Sequence, residues 1–221
     1  MPRARRAAPR RPRWRRRPED RPEEILRAAL RVFAERGFAQ ARLEEVARKA
    51  GVSKGTLYLY FDSKDALFRE VVRATKGPIL AESEAWLDAF DGSARDALAH
   101  FIRGMWRRMA DPDQAAISRL VHCEIKHFPE LARFYFEEVI VRGRRLIQSV
   151  LDRGIARGEF RTDLHGFAAR GLPHLMVFSA QTQCFFAAMD PERLRDEQVL
   201  DGILDLYLHG VEARPPAGPA A

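Results

Sequence analysis

The sequence has little cysteine and no long apolar segment. Its 221 residues include two Cys, Cys123 and Cys184, which are too few for the disulfide framework of a small secreted fold. It has no run of about 18 apolar residues that could cross a bilayer, and its first residues lack the apolar stretch of a secretory or twin-arginine signal. The composition therefore predicts a soluble cytoplasmic protein with reduced thiols and no membrane partner.

The common sequence signatures of enzymes are also missing. The chain has no Gly-rich phosphate loop, no zincin His pair and no nucleophile elbow. Cys123 and His127 are four residues apart on a predicted helix, a spacing that suits a metal ion, but no third ligand is nearby in the sequence. The negative end of that helix is a simpler explanation for His127. We therefore predict no catalysis, no cofactor and no metal site.

Acidic residues are absent from the first 17 positions, which contain nine Arg together with Pro2, Pro9 and Pro12. Since the whole chain has 38 Lys and Arg against 31 Asp and Glu, 29 basic side chains face 31 acidic ones in the rest, and the net charge of +7 comes from this segment. We predict a disordered Arg-rich arm over residues 1–17 and a disordered tail over 212–221. The arm could enter a minor groove, tether the protein to phosphates or only solubilise it. Arg runs interrupted by Pro favour the tether.

Between the arm and the tail, apolar residues recur at helical spacing, and no segment alternates as a strand would. After a first amphipathic helix, a second ends at Gly51, and Ser53 can cap a short third helix from Lys54 to about Phe61. Two short helices joined by a three-residue turn containing Gly form a helix-turn-helix. We therefore predict an all-α protein that begins with a three-helix DNA-binding domain over residues 18–66.

The residues around this motif resemble a known family. Residues 50–61 read AGVSKGTLYLYF and residues 64–67 read KDAL, and the stretch closely resembles the DNA-binding domain of TetR/AcrR-family transcriptional regulators. The resemblance implies a homodimer, usually a repressor, that binds a double-stranded DNA operator and is released by a small molecule. It also implies a larger helical domain for effector binding and dimerisation, which we assign to residues 67–211.

The third helix has one face that is free for DNA. At 100° per residue, Leu57 and Phe61 point toward the body, whereas Gly55, Thr56 and Leu59 point away from it. A Gly allows close backbone approach, a Thr can bond a phosphate or a base edge, and a Leu can pack on a thymine methyl group. Two tyrosines flank this face and could reach phosphates, or they could be ordinary core aromatics. They are Tyr58 and Tyr60.

Three basic residues are predicted to contact the DNA backbone or bases. Lys54 begins the third helix and can read guanine or neutralise a phosphate. Lys64 begins the fourth helix, where free backbone amides already favour a phosphate. Arg42 stands where the family usually has a Thr; an Arg cannot cap the second helix, but it can pair with a phosphate.

Glycine and proline predict where other helices end. The first helix is expected from about Pro22 to Gly37, and Gly77-Pro78 should kink or break the fourth helix, as a hinge or as a plain boundary. Residues 129–158 are apolar over a wide arc, which predicts a central helix. Two further predicted helices, 163–189 and 191–210, carry long apolar stripes, and the resemblance implies that they form a four-helix dimer interface.

The effector site is predicted among polar residues that lie on apolar helix faces. Glu124 is on the apolar face of a helix predicted over residues 113–126, so it should either pair with Arg142, Arg144 or Arg145 or serve as the counter-charge of a ligand. Polar residues set among aromatics are typical of a pocket, and also of an interface. The predicted ligand-binding residues are Trp106, Met109, Glu124, Phe134, Tyr135, His174, Phe178, Gln181 and Phe185.

These residues predict an apolar or amphipathic effector. The sequence therefore favours a sequence-specific, dimeric DNA-binding repressor that a small molecule releases. The alternative is a DNA-binding protein whose helical domain binds a protein partner.

Overall fold

The computed structural model describes residues 21–164 and 166–213, and the predicted arm, residues 1–17, lies outside them. The predicted all-α class is confirmed. The helices are α1 (Arg21–Gln40), α2 (Leu43–Ala50), α3 (Lys54–Tyr60), α4 (Lys64–Ala89), α5 (Ala94–Met109), α6 (Pro112–Glu124), α7 (Pro129–Tyr135), α8 (Arg142–Ala156), α9 (Phe167–Phe185) and α10 (Asp196–Val211). A π-helical stretch, Phe136–Val141, joins α7 to α8 without interruption, so the predicted central helix is continuous from 129 to 156.

Side-chain caps explain where several helices begin. Ser53, Ser63 and Ser93 precede α3, α4 and α5, and each hydroxyl accepts a hydrogen bond from the backbone N–H three residues later. Such caps satisfy amides that have no partner within the helix. At the other end of α2, Gly51 adopts a left-handed conformation with φ 69°, which a glycine adopts without strain. The turn between α2 and α3 is therefore built from local sequence.

The predicted end of the first helix at Gly37 is confirmed by a kink with non-helical backbone angles at that residue. Gly37 has φ 75°, which bends the chain, and helical structure then resumes as far as Gln40. The bend directs Phe38 into the protein, where its ring lies 4.7 Å from that of Phe128 and 5.3 Å from that of Phe68. Burial of this ring in an aromatic cluster explains why the chain continues past the glycine.

The predicted break at Gly77-Pro78 is wrong, because α4 is continuous from Lys64 to Ala89 and contains Pro78. Pro78 is exposed, whereas Val72 and Leu80 on either side of it are buried. A proline inside a helix removes one backbone hydrogen bond, and packing on both sides of it compensates for that loss. The result is one long helix that links the two halves of the protein.

The described residues form two apolar cores. The first core joins α1, α2, α3 and the beginning of α4 to α6 and α7, and the second joins the end of α4 to α5, α8, α9 and α10. Helix α6 therefore packs directly on the helix-turn-helix half. Residues 18–66 alone do not close the first core, because Ile117 and Leu131 are also fully buried in it.

Candidate DNA-binding surface and effector region

Helix α3 presents a largely exposed outer face. Leu59 is 84% exposed, whereas Leu57 is fully buried in the first core. Tyr58 and Tyr60 are each 41% exposed, so neither is a core aromatic. An exposed leucine between two tyrosines has no packing role within the chain, which leaves this face available to a partner.

Two hydroxyl groups meet at the beginning of α3. The Ser53 Oγ atom accepts from the Thr56 backbone N–H at 3.0 Å and lies 2.8 Å from Thr56 Oγ1, with either hydroxyl as the donor. Thr56 is thereby held in a fixed orientation and keeps lone pairs for a further hydrogen bond. Gly55, beside it, is exposed, and a β-carbon added there would have Ser53 Oγ as its nearest neighbour, at 3.8 Å. The backbone can therefore be approached closely at this point.

Lys54 is already paired within the protein. Its ammonium forms an ion pair with the Glu44 carboxylate of α2, and a hydrogen bond to that carboxylate raises the pKa of Lys54. Arg42 precedes α2 with an exposed side chain that makes no capping hydrogen bond. Both cations lie near the turn, and Lys54 would have to leave a carboxylate before it could pair with another anion.

Lys64 is directed into the protein. Its ammonium donates to the backbone carbonyls of Phe38 at 2.7 Å, Ala39 at 3.1 Å and Ala41 at 3.2 Å. All three of its donors are thus used at the end of α1. In this conformation Lys64 joins α4 to α1, whereas the sequence predicted a phosphate contact. The residues that accept from it lie more than 20 positions away, so no local signal reveals the arrangement.

The nine residues predicted for the effector site lie in different places. Trp106 and Met109 pack against the second core, whereas Phe134 and Tyr135 are buried in the first, where burial raises the pKa of Tyr135 to about 12. A third group lies along α9, where Phe178 is 73% and Phe185 is 52% exposed. His174 and Gln181 share that helix. The structure does not bring these nine residues together in one pocket.

Among the described residues, Glu124 forms no ion pair with Arg142, Arg144 or Arg145, the arginines that the sequence suggested. Its carboxylate accepts from the Ala39 backbone N–H at 3.4 Å and lies against Gly37. Arg142 instead binds both carboxylate oxygens of Glu84, at 2.9 and 2.7 Å. Glu124 therefore contacts the bend of α1 in the DNA-binding half. The competing backbone amide was not visible in the sequence, because it comes from an irregular bend.

Two features of the helical body were missed. Lys76 of α4 is half-buried, donates to Gln114 Oε1 of α6 at 2.8 Å, and has its pKa lowered to about 8 by desolvation. A cleft of about 440 Å³ also opens between α4, α5 and α10. The sequence signal for Lys76 was a lysine at a position of α4 that faces other helices. The cleft depends on helix packing, which has no local signature.

Over residues 21–164 and 166–213, no helix is both long and apolar enough to cross a membrane. The same residues contain no group of three or more His, Cys, Asp or Glu side chains placed to hold a metal ion.

An exposed recognition helix on a helical body defines a class of protein, the helix-turn-helix DNA-binding regulators. Residues 25–71 match the family described as bacterial regulatory proteins, tetR family, and residues 96–210, more than half of the chain, match the C-terminal domain of AefR-like transcriptional repressors. The chain belongs to the TetR family. It is a DNA-binding transcriptional repressor and not an enzyme.

Individual relatives agree with this assignment. The chain is 29% identical to the transcriptional repressor KstR2 of Rhodococcus jostii over 64% of this chain and 68% of that protein. It is 27% identical to the fatty acid metabolism regulator protein of Bacillus subtilis over 85% of this chain and 94% of the relative. The crystal structure of FadR from Bacillus subtilis in complex with stearoyl-CoA has the same fold, with a TM-score of 0.72 and 21% identity over 86% of this chain and 99% of that one.

Proposed function

We propose that this repressor acts as a homodimer in the cytoplasm and leaves its operator when an amphipathic small molecule binds its helical body, residues 67–211. The single observation that supports this most strongly is that the chain has two separate exposed apolar surfaces, one on α3 and one on α9 and α10. The first suits a DNA groove and the second suits another copy of the chain.

The outer face of α3 enters the major groove in this proposal. Gly55 and Thr56 approach the DNA closely. Leu59, which is 84% exposed in the free protein, packs on a thymine methyl group. Tyr58, Tyr60, Arg42 and Lys54 surround this face and contact phosphates. Lys64 is left out of the contact set, because its three donors are used within the chain.

The outer face of α9 and α10 forms the dimer interface in this proposal. Phe167 and Phe178 of α9 are 77% and 73% exposed, and Leu206 of α10 is 71% exposed. Exposed apolar side chains of this size on neighbouring helices are typical of a protein interface. His174 and Phe185 lie on the same stripe of α9 as Phe178, so these three predicted ligand residues act in dimerisation instead.

The direct contact of α6 with α1 supports release by a ligand. Glu124 and Phe128, at the end of α6 and just after it, touch Ala39 and Phe38 of the DNA-binding half. A ligand that favours a different position of α6 would therefore move the end of α1. Its effect on DNA affinity is limited by its preference for one position over the other.

The stearoyl-CoA complex of the similar Bacillus subtilis protein supports an effector with an apolar tail and a charged head. We would select an operator from random DNA and titrate the full-length protein by fluorescence anisotropy, with and without stearoyl-CoA, stearate and coenzyme A. We expect an acyl ligand to weaken operator binding between about 5-fold and 150-fold, the usual range of allosteric coupling. Unchanged affinity with every acyl ligand would contradict this effector class.

The dimer interface can be tested separately by sedimentation velocity. Phe178→Glu and Leu206→Glu together should give a folded monomer, because they introduce charge into an apolar contact. Phe136→Glu is the matched control, since Phe136 is 49% exposed and lies outside α9 and α10. A double variant that stays dimeric would contradict the proposed interface.

A further inference from the structure

A cleft in the body combines aromatic and cationic walls. It lies between α4, α5 and α10, has a volume of about 440 Å³, and is lined by Trp86, Phe90, Asp96, His100, Arg103, Arg107 and Leu200. This volume is within the range of small-molecule sites. None of these residues belongs to the set that the sequence predicted for an effector.

Stacked rings form one wall of the cleft. The His100 ring lies parallel to the Trp86 indole, with 3.8 Å between ring centroids and 7° between planes. Phe90 stacks on the same indole at 4.5 Å and 21°. Both stacks fix the position of Trp86, and Leu200 of α10 adds an aliphatic surface nearby. This wall is suited to the apolar part of a ligand.

Two arginines form the other wall. His100, Arg103 and Arg107 are three and four residues apart on α5, so they share one face of the helix. In the part of the chain that the structure describes, no carboxylate pairs with either guanidinium, whereas Asp96 lies two turns before Arg103 and its carboxylate accepts from Ser93 Oγ. The pKa of His100 is lowered by burial and by the positive charges of Arg107, Arg108 and Arg103. The Asp96 carboxylate, which also lines the cleft, offsets only part of this charge, so an excess of positive charge remains on Arg103 and Arg107.

We propose that this cleft binds an amphipathic anion, with a carboxylate or phosphate group on Arg103 and Arg107 and an apolar part against Trp86, Phe90 and Leu200. Planar guanidinium groups bind both kinds of anion through paired hydrogen bonds. The proposed dimer face leaves the cleft open, because Leu200 and Leu206 are about a third of a turn apart around α10. This assignment rests on the proposed function, since it gives the binding site and the charge of an effector.

Calorimetry of the full-length protein measures ligand binding without DNA. A failure of the proposed site is therefore distinguishable from a failure of effector-driven release from the operator. The probes are octyl phosphate, octanoate and octanol, which share a tail and differ in head group. We compare the wild type with Arg103→Gln/Arg107→Gln, and with Arg119→Gln/Arg133→Gln as a control of equal charge change. Arg119 and Arg133 are also exposed. Circular dichroism checks that each variant is folded.

We expect the two anions to bind the wild type and the control at least tenfold more tightly than the Arg103/Arg107 variant. Octanol should bind weakly and equally to all three proteins. Tighter binding of octyl phosphate than of octanoate would assign the site to a phosphate head group, and the reverse order to a free carboxylate. Equal binding of anions and octanol, or equal anion binding by all three proteins, would overturn the proposal.

Discussion

The carboxylate of Glu124, at the end of α6, lies against Gly37 in the bend of α1. A β-carbon at position 37 would occupy the space of that carboxylate, which also accepts from the Ala39 backbone N–H at 3.4 Å. The φ of 75° favours glycine at this position, and a β-carbon there would in addition displace the Glu124 carboxylate. This contact joins the helical body to the DNA-binding half.

Gly37→Ala should destabilise the protein by about 1–3 kcal/mol, because it strains the backbone and displaces Glu124. Gly158→Ala is a matched control, since Gly158 has φ 72° but nothing within 4 Å of the added carbon. The difference between the two variants, measured by chemical denaturation, isolates the contact with Glu124. Adding Glu124→Ala to Gly37→Ala should recover part of the extra loss of stability. Equal losses for the two glycine variants would contradict the role given to the contact.

Lys64→Met should lower stability and leave the salt dependence of DNA binding unchanged. The variant removes three hydrogen bonds to the end of α1, a loss on the order of 1–3 kcal/mol. Arg42→Gln should leave stability unchanged and reduce the slope of log affinity against log salt by about 0.9. Denaturation and anisotropy at several salt concentrations measure both quantities. A reduced slope for Lys64→Met would show instead that Lys64 turns outward on DNA.

Glu44→Gln should strengthen operator binding several-fold. It releases Lys54 from an exposed ion pair, so that the ammonium can meet a phosphate without first leaving a carboxylate. Glu35→Gln is the matched control, because Glu35 is another exposed acid of this half and pairs with Lys49 at 2.5 Å. Anisotropy titrations compare the two variants, each of which removes one negative charge. If both strengthen binding equally, the effect is one of general charge and Lys54 has no special role.

Lys76 should make stability depend on pH. Burial lowers its pKa from 10.5 to about 8, so between these two values the unfolded chain binds a proton that the folded protein does not. Stability should therefore rise with pH across this window, by an amount on the order of 3 kcal/mol, relative to Lys76→Met. Denaturation of both proteins from pH 7 to 10 measures the difference. The exposed Lys126→Met variant should show no such trend, and a wild type that lost stability relative to Lys76→Met would contradict the burial.

The sequence predicted those features that depend on nearby residues. Ser53 and Gly51 define the turn between α2 and α3, and the spacing of Leu57 and Leu59 separates the buried face of α3 from its exposed face. Each of these signals acts within a few positions of the chain. The helix-turn-helix and the all-α class were predicted for this reason.

Features that depend on distant residues were predicted poorly. Gly77-Pro78 was expected to kink or break α4, but the helix is continuous, with buried residues on both sides of Pro78. Lys64 was assigned to a phosphate and Glu124 to an arginine or a ligand, whereas in the structure each bonds to backbone groups in the bend of α1, which a helical projection does not include. The ligand residues were chosen for composition, and helix packing then distributed them over two cores and an outer face.

The DNA-binding role of the outer face of α3 is tested most directly by comparing affinity for operator DNA with affinity for random DNA. Anisotropy titrations would compare the wild type with Thr56→Ala/Tyr60→Ala and with Leu59→Ala, after circular dichroism has confirmed that all are folded. We predict that the double variant loses at least about tenfold in operator affinity, as expected for two lost polar contacts of about 1 kcal/mol each, and that Leu59→Ala relaxes base preference more than total affinity. Unchanged discrimination in both variants would contradict the assignment of this face to DNA.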